Sequence, residues 1–179
     1  MALFLVLGLP IGDPSLEARV ITREEALSMS FPGATFESSI IFLTKEEEQE
    51  IAKQSGSPAP SAMVARYLAR AGGKIVGRAY LDTHIVRTKK ESLLVILDAD
   101  GKVKRIETVA FLEPPEYIPP DRWYQQFQGQ ALDDGLRLGR DIHPVTGATL
   151  TARATTDAAR RALATDQILL RREGRGKKP

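Results

Sequence analysis

The chain has 179 residues, of which 42% are hydrophobic and 27% are charged, and its formal net charge is +2. These values are ordinary for one soluble globular domain. Cysteine is absent, which excludes disulfides, zinc–thiolate sites, iron–sulfur clusters and thiol nucleophiles. Asparagine is also absent, while arginine, glutamate and proline are plentiful. Such a composition is typical of heat-adapted proteins, so we expect a thermophilic source.

The N-terminus opens with an apolar run from Ala2 to Leu9. The run is too short to cross a bilayer as a helix, but it has the size of a signal-peptide core, and Leu16-Glu17-Ala18 resembles a cleavage site. We therefore expect a signal peptide over residues 1–18. A buried first strand is the alternative, because no basic residue precedes the run. A signal peptide would place the protein in the periplasm or on the extracytoplasmic side of the cytoplasmic membrane; without one it would be cytoplasmic.

Two helices are predicted next, each by a capping box. Thr22 is followed three residues later by Glu25, and Thr44 by Glu47, so that each threonine and glutamate can bond the other's backbone N–H. The sequence Phe31-Pro-Gly ends the first helix, and a loop over 56–61 follows the second.

Four strands are predicted over 63–68, 74–81, 92–97 and 102–111. A glycine pair at 72–73 links the first two, and Asp100-Gly101 links the last two, as expected for hairpins. A short helix follows at "DRWYQQFQG", and a final helix is predicted from about Thr151 to Ala164. Helices that bracket a run of hairpins indicate an α+β fold with a mainly antiparallel sheet.

The basic excess of the chain lies at its C-terminal end, from Arg171 to Pro179. We expect a disordered tail over 167–179, with contact to anionic lipid or an acidic partner as the alternative. Residues 19–166 would then form a single domain. Nothing in the charge distribution indicates a nucleic acid partner.

The last helix is approached through the slim turn Thr146-Gly147-Ala148-Thr149. A turn that feeds a helix presents free backbone N–H groups and the positive end of the helix dipole, which together favour an anion. Gly147 and Ala148 leave the approach open, and hydroxyl groups surround it. A phosphate would suit this turn, although the spacing is that of neither a P-loop nor a dinucleotide fingerprint. A helix cap without a ligand is the alternative.

The motif "VTGATLTARAT" resembles the flavinylation motif of the FMN-binding domain family. That family includes the C subunit of the sodium-pumping NADH:quinone oxidoreductase and the G subunit of Rnf complexes. The resemblance implies FMN joined through its phosphate to the last threonine of the motif, which is Thr149. Thr146, Gly147 and Ala148 match the preceding positions. Leu150 and Thr151 match the usual continuation.

A second block of the family pattern occurs in the same order before the threonine motif. Glu113 and Pro114 align with its Glu-Thr-Pro-Gly segment, and Trp123, Gln126, Phe127 and Gly129 with its later Trp and "QF-G" stretch. The resemblance covers about residues 63 to 164. Two departures are Pro115-Glu116-Tyr117 in place of a glycine turn, and His143 where the family usually has an aspartate.

The resemblance implies an electron-transfer module with FMN on Thr149 that passes electrons between membrane-associated partners such as a quinone, a cytochrome or a reductase subunit. An FMN transferase would attach the flavin. Arg153 is a candidate phosphate contact, and Glu113, Tyr117, Trp123 and Leu150 are candidate contacts of the flavin ring. No catalytic residue and no metal ligand is predicted. The alternatives are a noncatalytic binding or regulatory domain, and an oxidoreductase subunit with dissociable FMN.

Overall fold

The computed structural model describes residues 20–59 and 61–176. The predicted signal peptide lies outside the described residues. Within this part of the chain the elements, in order, are four helices and five strands: α1 (Arg23–Ser30), β1 (Thr35–Phe42), α2 (Lys45–Ser55), β2 (Met63–Ala71), β3 (Lys74–Ile85), β4 (Lys90–Asp98), β5 (Val103–Phe111), α3 (Asp121–Tyr124) and α4 (Thr149–Gly176). Two short 3₁₀ turns, Pro115–Tyr117 and Gln125–Phe127, flank α3.

The five strands form one antiparallel sheet in the order β1-β2-β3-β4-β5. Each strand therefore pairs with its neighbour in sequence, which confirms the predicted α+β class. Strand β1 was not predicted. It is mostly exposed, with Ile41 its only buried residue, so its sequence lacks a clear alternation of apolar and polar residues.

The sheet carries helices on both faces. On one face α4, α2 and α3 cover a core that includes Leu93, Val95 and Phe127. On the other face α1 covers a smaller core with Leu94 and Ile96. Strand β4 is buried on both faces for this reason, as a continuous apolar segment requires.

Both predicted capping boxes are present. The Thr22 hydroxyl accepts a hydrogen bond from the Glu25 N–H at 3.1 Å, and Glu25 accepts one from the Thr22 N–H at 3.0 Å. Thr44 and Glu47 repeat this arrangement at 3.2 and 2.9 Å. These contacts lie within one helical turn, which is why the sequence alone revealed them.

The final helix is longer at both ends than predicted, and the prediction of a disordered tail is wrong for residues 167–176, which are helical. Tertiary contacts hold this part of α4 in place. Ile168 and Leu169 are buried, and Glu173 accepts a hydrogen bond from Arg66 at 2.6 Å. The neighbouring Arg172 donates to Glu47 on α2. A basic segment thus continues as a helix because its other face packs on the sheet and on α2.

Candidate functional site

The N-terminus of α4 carries Thr149 as its first residue. Ala148 precedes it, and the Ala148 carbonyl accepts the first helical hydrogen bond, from the Ala152 N–H at 2.8 Å. An alanine side chain cannot accept a hydrogen bond, so this position provides no cap. Among the described residues no side chain accepts from the N–H groups of Thr149, Leu150 or Thr151. These donors remain available to an anion, which the helix dipole would also stabilise.

The Thr149 hydroxyl is accessible. The residue is exposed, and its Oγ1 donates one long hydrogen bond of 3.4 Å to the Val145 carbonyl. Gly147 has a φ of 85°, a left-handed conformation that disfavours residues with a side chain, and a Cβ atom built there would meet nothing within 4 Å. A bulky group can therefore approach this turn from solvent and reach the hydroxyl.

The other residues of the turn and first helical turns divide into exposed and buried positions. Thr146 and Arg153 are exposed, and Leu150 keeps 51% of its surface exposed. Thr151 is buried at 1%. The exposed apolar Leu150 next to the free N–H groups gives the site a surface for a flat apolar ring beside its place for a phosphate.

The segment before the turn is held by the region of α3. The indole N–H of Trp123 donates to the His143 carbonyl at 2.7 Å, and Gln126 accepts from the His143 N–H at 2.8 Å. Trp123 is 6% exposed and packs edge-on against Tyr124 and against Phe127, with ring centroids 5.3 Å apart in each pair. Its side chain thus anchors the loop that leads to Thr149.

Glu113 lies against the β3–β4 turn. One carboxylate oxygen accepts hydrogen bonds from the Thr88 N–H at 2.7 Å and the Lys89 N–H at 2.8 Å, as well as from the Thr88 hydroxyl at 3.2 Å. The backbone donors lower the pKa of Glu113. Glu113 is 8% exposed. The following Pro114 leads into the 3₁₀ turn, where the Arg87 guanidinium lies 4.7 Å from the centre of the Tyr117 ring.

Helix α4 runs antiparallel to β3. Asp166, toward its C-terminus, contacts Arg78, whereas Arg161 contacts Asp82 farther along the strand. The N-terminus of α4 and the end of β3 are therefore at the same end of the molecule. That end also carries the β3–β4 turn.

A buried line of charged groups lies between α4 and the sheet at this end. Arg161 donates to both carboxylate oxygens of Asp82, at 2.8 Å each, and Asp82 bonds His84 Nδ1 at 2.8 Å. The other ring nitrogen of His84 lies 3.0 Å from Glu91 Oε2. His84 and Glu91 are directly opposite each other in the β3–β4 register, so backbone pairing fixes the contact.

The environment shifts the pKa values of Asp82, His84 and Glu91. Burial opposes the charge on Asp82, but hydrogen bonds from Arg161 and His84 prevail and lower its pKa to about 2. Burial also opposes a charged His84, yet its two carboxylate neighbours raise its pKa to about 9. For Glu91 burial dominates and raises the pKa. At neutral pH the line therefore contains a charged arginine, a carboxylate and an imidazolium.

In the sequence His84 follows the strand predicted over 74–81, which leaves it as either a solvated loop residue or part of a flavin pocket; Asp82, Glu91 and Arg161 were not predicted. The structure places His84 within β3, with 9% of its side chain exposed. The sequence contains one indication of this arrangement. Every second residue from 78 to 84 is polar, so these side chains share one face of the strand: Arg78, Tyr80, Asp82 and His84. Polar residues on a face that a helix covers need partners, but those partners are distant in sequence.

A separate cleft of about 440 Å³ lies along β5, between the end of α1 and α3. Its lining includes Met29, Lys104, Glu107 and Tyr124, and it contains none of the residues predicted to bind the cofactor. The candidate site is thus an open surface at the start of α4. The described residues include no group of histidine and acidic side chains suited to a metal ion. They also include no helix long and apolar enough to cross a membrane.

The start of α4 combines an exposed hydroxyl, uncapped helix N–H groups and an open glycine turn, a combination suited to a phosphate-bearing group. In the comparison with known families, the model of the FMN-binding domain matches residues 88–164. This chain therefore carries a domain of the FMN-binding family, and FMN is its cofactor. The matched part runs from the β3–β4 turn through the first half of α4. No curated protein and no solved structure matches the chain.

Proposed function

We propose that this protein is an electron-transfer module that carries FMN covalently, through a phosphoester to Thr149 Oγ1. The observation that supports the linkage most directly is the position of that hydroxyl, exposed as the first residue of an uncapped helix inside the region that matches the FMN-binding domain. FMN, when bound, supplies one- and two-electron chemistry.

The residues of the chain would bind and orient the flavin. The N–H groups at the start of α4 would donate to the phosphate oxygens, and the helix dipole would add roughly 0.3–1 kcal/mol of stabilisation. Arg153, exposed one turn later, would supply a charge-assisted hydrogen bond. Leu150 offers an apolar surface to the ring, and Tyr117, in the 3₁₀ turn after Pro114, is the candidate aromatic contact. Glu113 would act indirectly, by holding the β3–β4 turn through its bonds to Thr88 and Lys89.

The partners and location are part of the same proposal. An FMN transferase would attach the flavin, and electrons would pass between membrane-associated proteins or a quinone on the extracytoplasmic side. The support is the apolar run at the N-terminus together with the benefit of a bond that prevents loss of the flavin where none can be resupplied. N-terminal sequencing of protein from the native host tests this location, since cleavage after Ala18 is expected.

The linkage is tested by mass spectrometry of intact protein co-expressed with an FMN transferase. We expect an added mass equal to FMN less one water, and a band that fluoresces under ultraviolet light on a denaturing gel. Thr149→Ala should abolish both signals, and Thr149→Ser should retain them. Thr146→Ala is the matched control, because Thr146 is an exposed threonine of the same turn and its loss should leave the modification intact.

Three results would contradict the proposal in different ways. Yellow protein that loses its colour on denaturation would indicate dissociable FMN. Added FMN mass that survives in the Thr149→Ala protein would place the bond elsewhere. Colourless, unmodified protein in the presence of an active transferase would leave a noncatalytic binding domain as the better description.

A further inference from the structure

The buried pair of Glu91 and His84 contains an acceptor without a partner. Glu91 is 0% exposed, and only its Oε2 bonds His84; its Oε1 has no hydrogen-bond partner among the described residues. An unsatisfied carboxylate oxygen in the interior costs free energy unless it binds a proton or a water molecule. A carboxylate in this position is therefore prepared to take up a proton.

Two hydroxyl groups lie side by side at the cleft along β5. The Tyr124 hydroxyl lies 3.1 Å from Thr108 Oγ1, and both residues line the cleft. Burial raises the pKa of the Tyr124 hydroxyl, the charge of Glu91 raises it further, and Thr155 on α4 lowers it. Thr155 Oγ1 is also buried and has no hydrogen-bond partner among the described residues. The described residues thus contain two buried oxygens without partners, and both residues that carry them affect the Tyr124 hydroxyl.

We propose that the Glu91–His84 pair binds one proton when the flavin at this end of α4 gains an electron, and that Tyr124 connects the pair with solvent in the cleft. This inference rests on the proposed function. The electron comes from an external one-electron donor, which is oxidised. The proton comes from solvent water, which is left as hydroxide in the bulk, and it forms an O–H bond at Glu91 Oε1. The protein and flavin together gain one negative and one positive charge, so their net charge stays constant.

The electrostatics of the surrounding groups favour this role. The charged and titratable groups that face the pair come from three elements: Asp82 on β3, Tyr124 on α3, and Asp157 and Arg161 on α4. Arg161 and Asp82 form a bidentate pair that keeps a fixed charge on each partner. His84 and Glu91 contact each other directly, so they titrate as a coupled pair.

The direction of the coupling follows from Coulomb's law. A negative charge that arrives at the N-terminus of α4 favours a proton at the same end of the molecule. Because the pair is buried, salt screens this interaction much less than it would between exposed groups. By linkage, a proton on the pair raises the affinity of the flavin for its electron by the same factor.

The test has one arm on flavin-free protein and one on FMN-loaded protein. In flavin-free wild type, NMR titration of the His84 ring should give a pKa well above 7, and Glu91→Gln should lower it by about one unit or more, because one carboxylate neighbour is lost. Tyr124→Phe should leave that pKa in place but slow the exchange of the ring N–H protons at least about tenfold. An unchanged His84 titration in Glu91→Gln would overturn the proposal before any flavin is involved.

In FMN-loaded protein, dithionite reduction in weakly buffered solution with a pH indicator measures proton uptake. Wild type should take up one proton more per molecule than Glu91→Gln, and its infrared difference spectrum should gain a carboxylic acid band that the variant lacks. Glu116→Gln, which neutralises an exposed glutamate, is the matched control and should behave as wild type. His84→Gln is a second variant that should also reduce the uptake.

The possible failures are distinguishable. Equal proton uptake by wild type and Glu91→Gln, in protein that carries FMN on Thr149, would overturn this inference and leave the proposed function intact. A protein that carries no flavin would contradict the proposed function, while the first arm would still report whether the pair and Tyr124 exchange protons as described.

Discussion

Substitution of Asp166 by alanine should destabilise the protein strongly. Asp166 is 1% exposed and accepts hydrogen bonds from Arg78 at 2.5 and 3.1 Å and from the Tyr80 hydroxyl at 2.8 Å. After its removal, the buried Arg78 guanidinium keeps a single long contact, of 3.4 Å, to the Ala99 carbonyl. The variant thus contains an uncompensated buried charge and an unpaired phenol.

The magnitude follows from these contacts. Removal of one partner of a buried ion pair costs about 3–5 kcal/mol, and most of that cost is the desolvated charge left behind. The total stability of a domain is about 5–15 kcal/mol, so the variant should fold but unfold at a much lower urea concentration. For a chain of this size a loss of about 4 kcal/mol corresponds to a decrease in Tm of roughly 8–16 °C.

Two further variants make the experiment decisive. Glu48→Ala removes the partner of Lys45, but the Lys45 side chain is 80% exposed, so this loss should be below about 1 kcal/mol. The double substitution Arg78→Met with Asp166→Leu removes both charges and should recover most of the stability. A cost below about 1 kcal/mol for Asp166→Ala, or a double variant no better than the single one, would refute the reasoning.

Three other changes should produce effects of known sign. Gly77→Ala should destabilise the protein by about 1–3 kcal/mol, because the new Cβ would clash with the Phe31 ring and lie 2.6 Å from the Leu97 carbonyl. Gly174→Ala, in open space on α4, should stabilise it by about 0.5–1 kcal/mol. Equal urea midpoints for the two variants would contradict this. The free energy of unfolding, measured by urea titration, should fall by on the order of 3 kcal/mol as the pH rises from 6.5 through 9. The folded state raises the pKa of His84 from 6.5 to about 9, so the stabilisation by the imidazolium is complete only below 6.5. His84→Gln should remove this dependence, and a flat wild-type profile would show that the imidazolium is not stabilised. Arg160→Met should lower the hydrogen-exchange protection of α2. The Arg160 guanidinium donates to the carbonyls of Gln54 and Ser55 at the end of that helix, at 3.1 and 2.7 Å. Unchanged protection of α2 would argue against a capping role.

The parts of the fold that the sequence predicted are those that local rules determine. The capping boxes of α1 and α2 depend on residues three positions apart, and Asp100-Gly101 determines the β4–β5 hairpin, with Gly101 at a φ of 79°. The longer extent of α4 was not predictable in this way. Its last turns are basic and exposed on one side, and they remain helical because of contacts with Arg66 and Glu47, distant in sequence.

The same distinction applies to the candidate site. The turn and its exposed threonine could be found because the motif is contiguous. The buried line of charges could not, because Arg161 and Asp82 are 79 residues apart in sequence, and Arg160 is 105 from Ser55. Two adjacent arginines in an alanine-rich helix look like a solvated face by periodicity. Only the tertiary arrangement shows that both are buried and that each satisfies a different part of the molecule.

The way α4 is fixed explains how its N-terminus can remain open. The proposed attachment of a phosphate-linked ring requires that the first N–H groups of α4 stay uncapped. Thr151 and Ala152 in this turn are buried, but the polar contacts that hold the helix lie elsewhere. Alanines 158, 159 and 162 let α4 approach the sheet closely, while Arg160, Arg161 and Asp166 bind three different partners on α2 and β3. These contacts begin more than two helical turns beyond Thr149. The free N–H groups are therefore held in a fixed position although no side chain accepts their hydrogen bonds. An anion that binds there would not have to order the helix, so its binding would cost little conformational entropy.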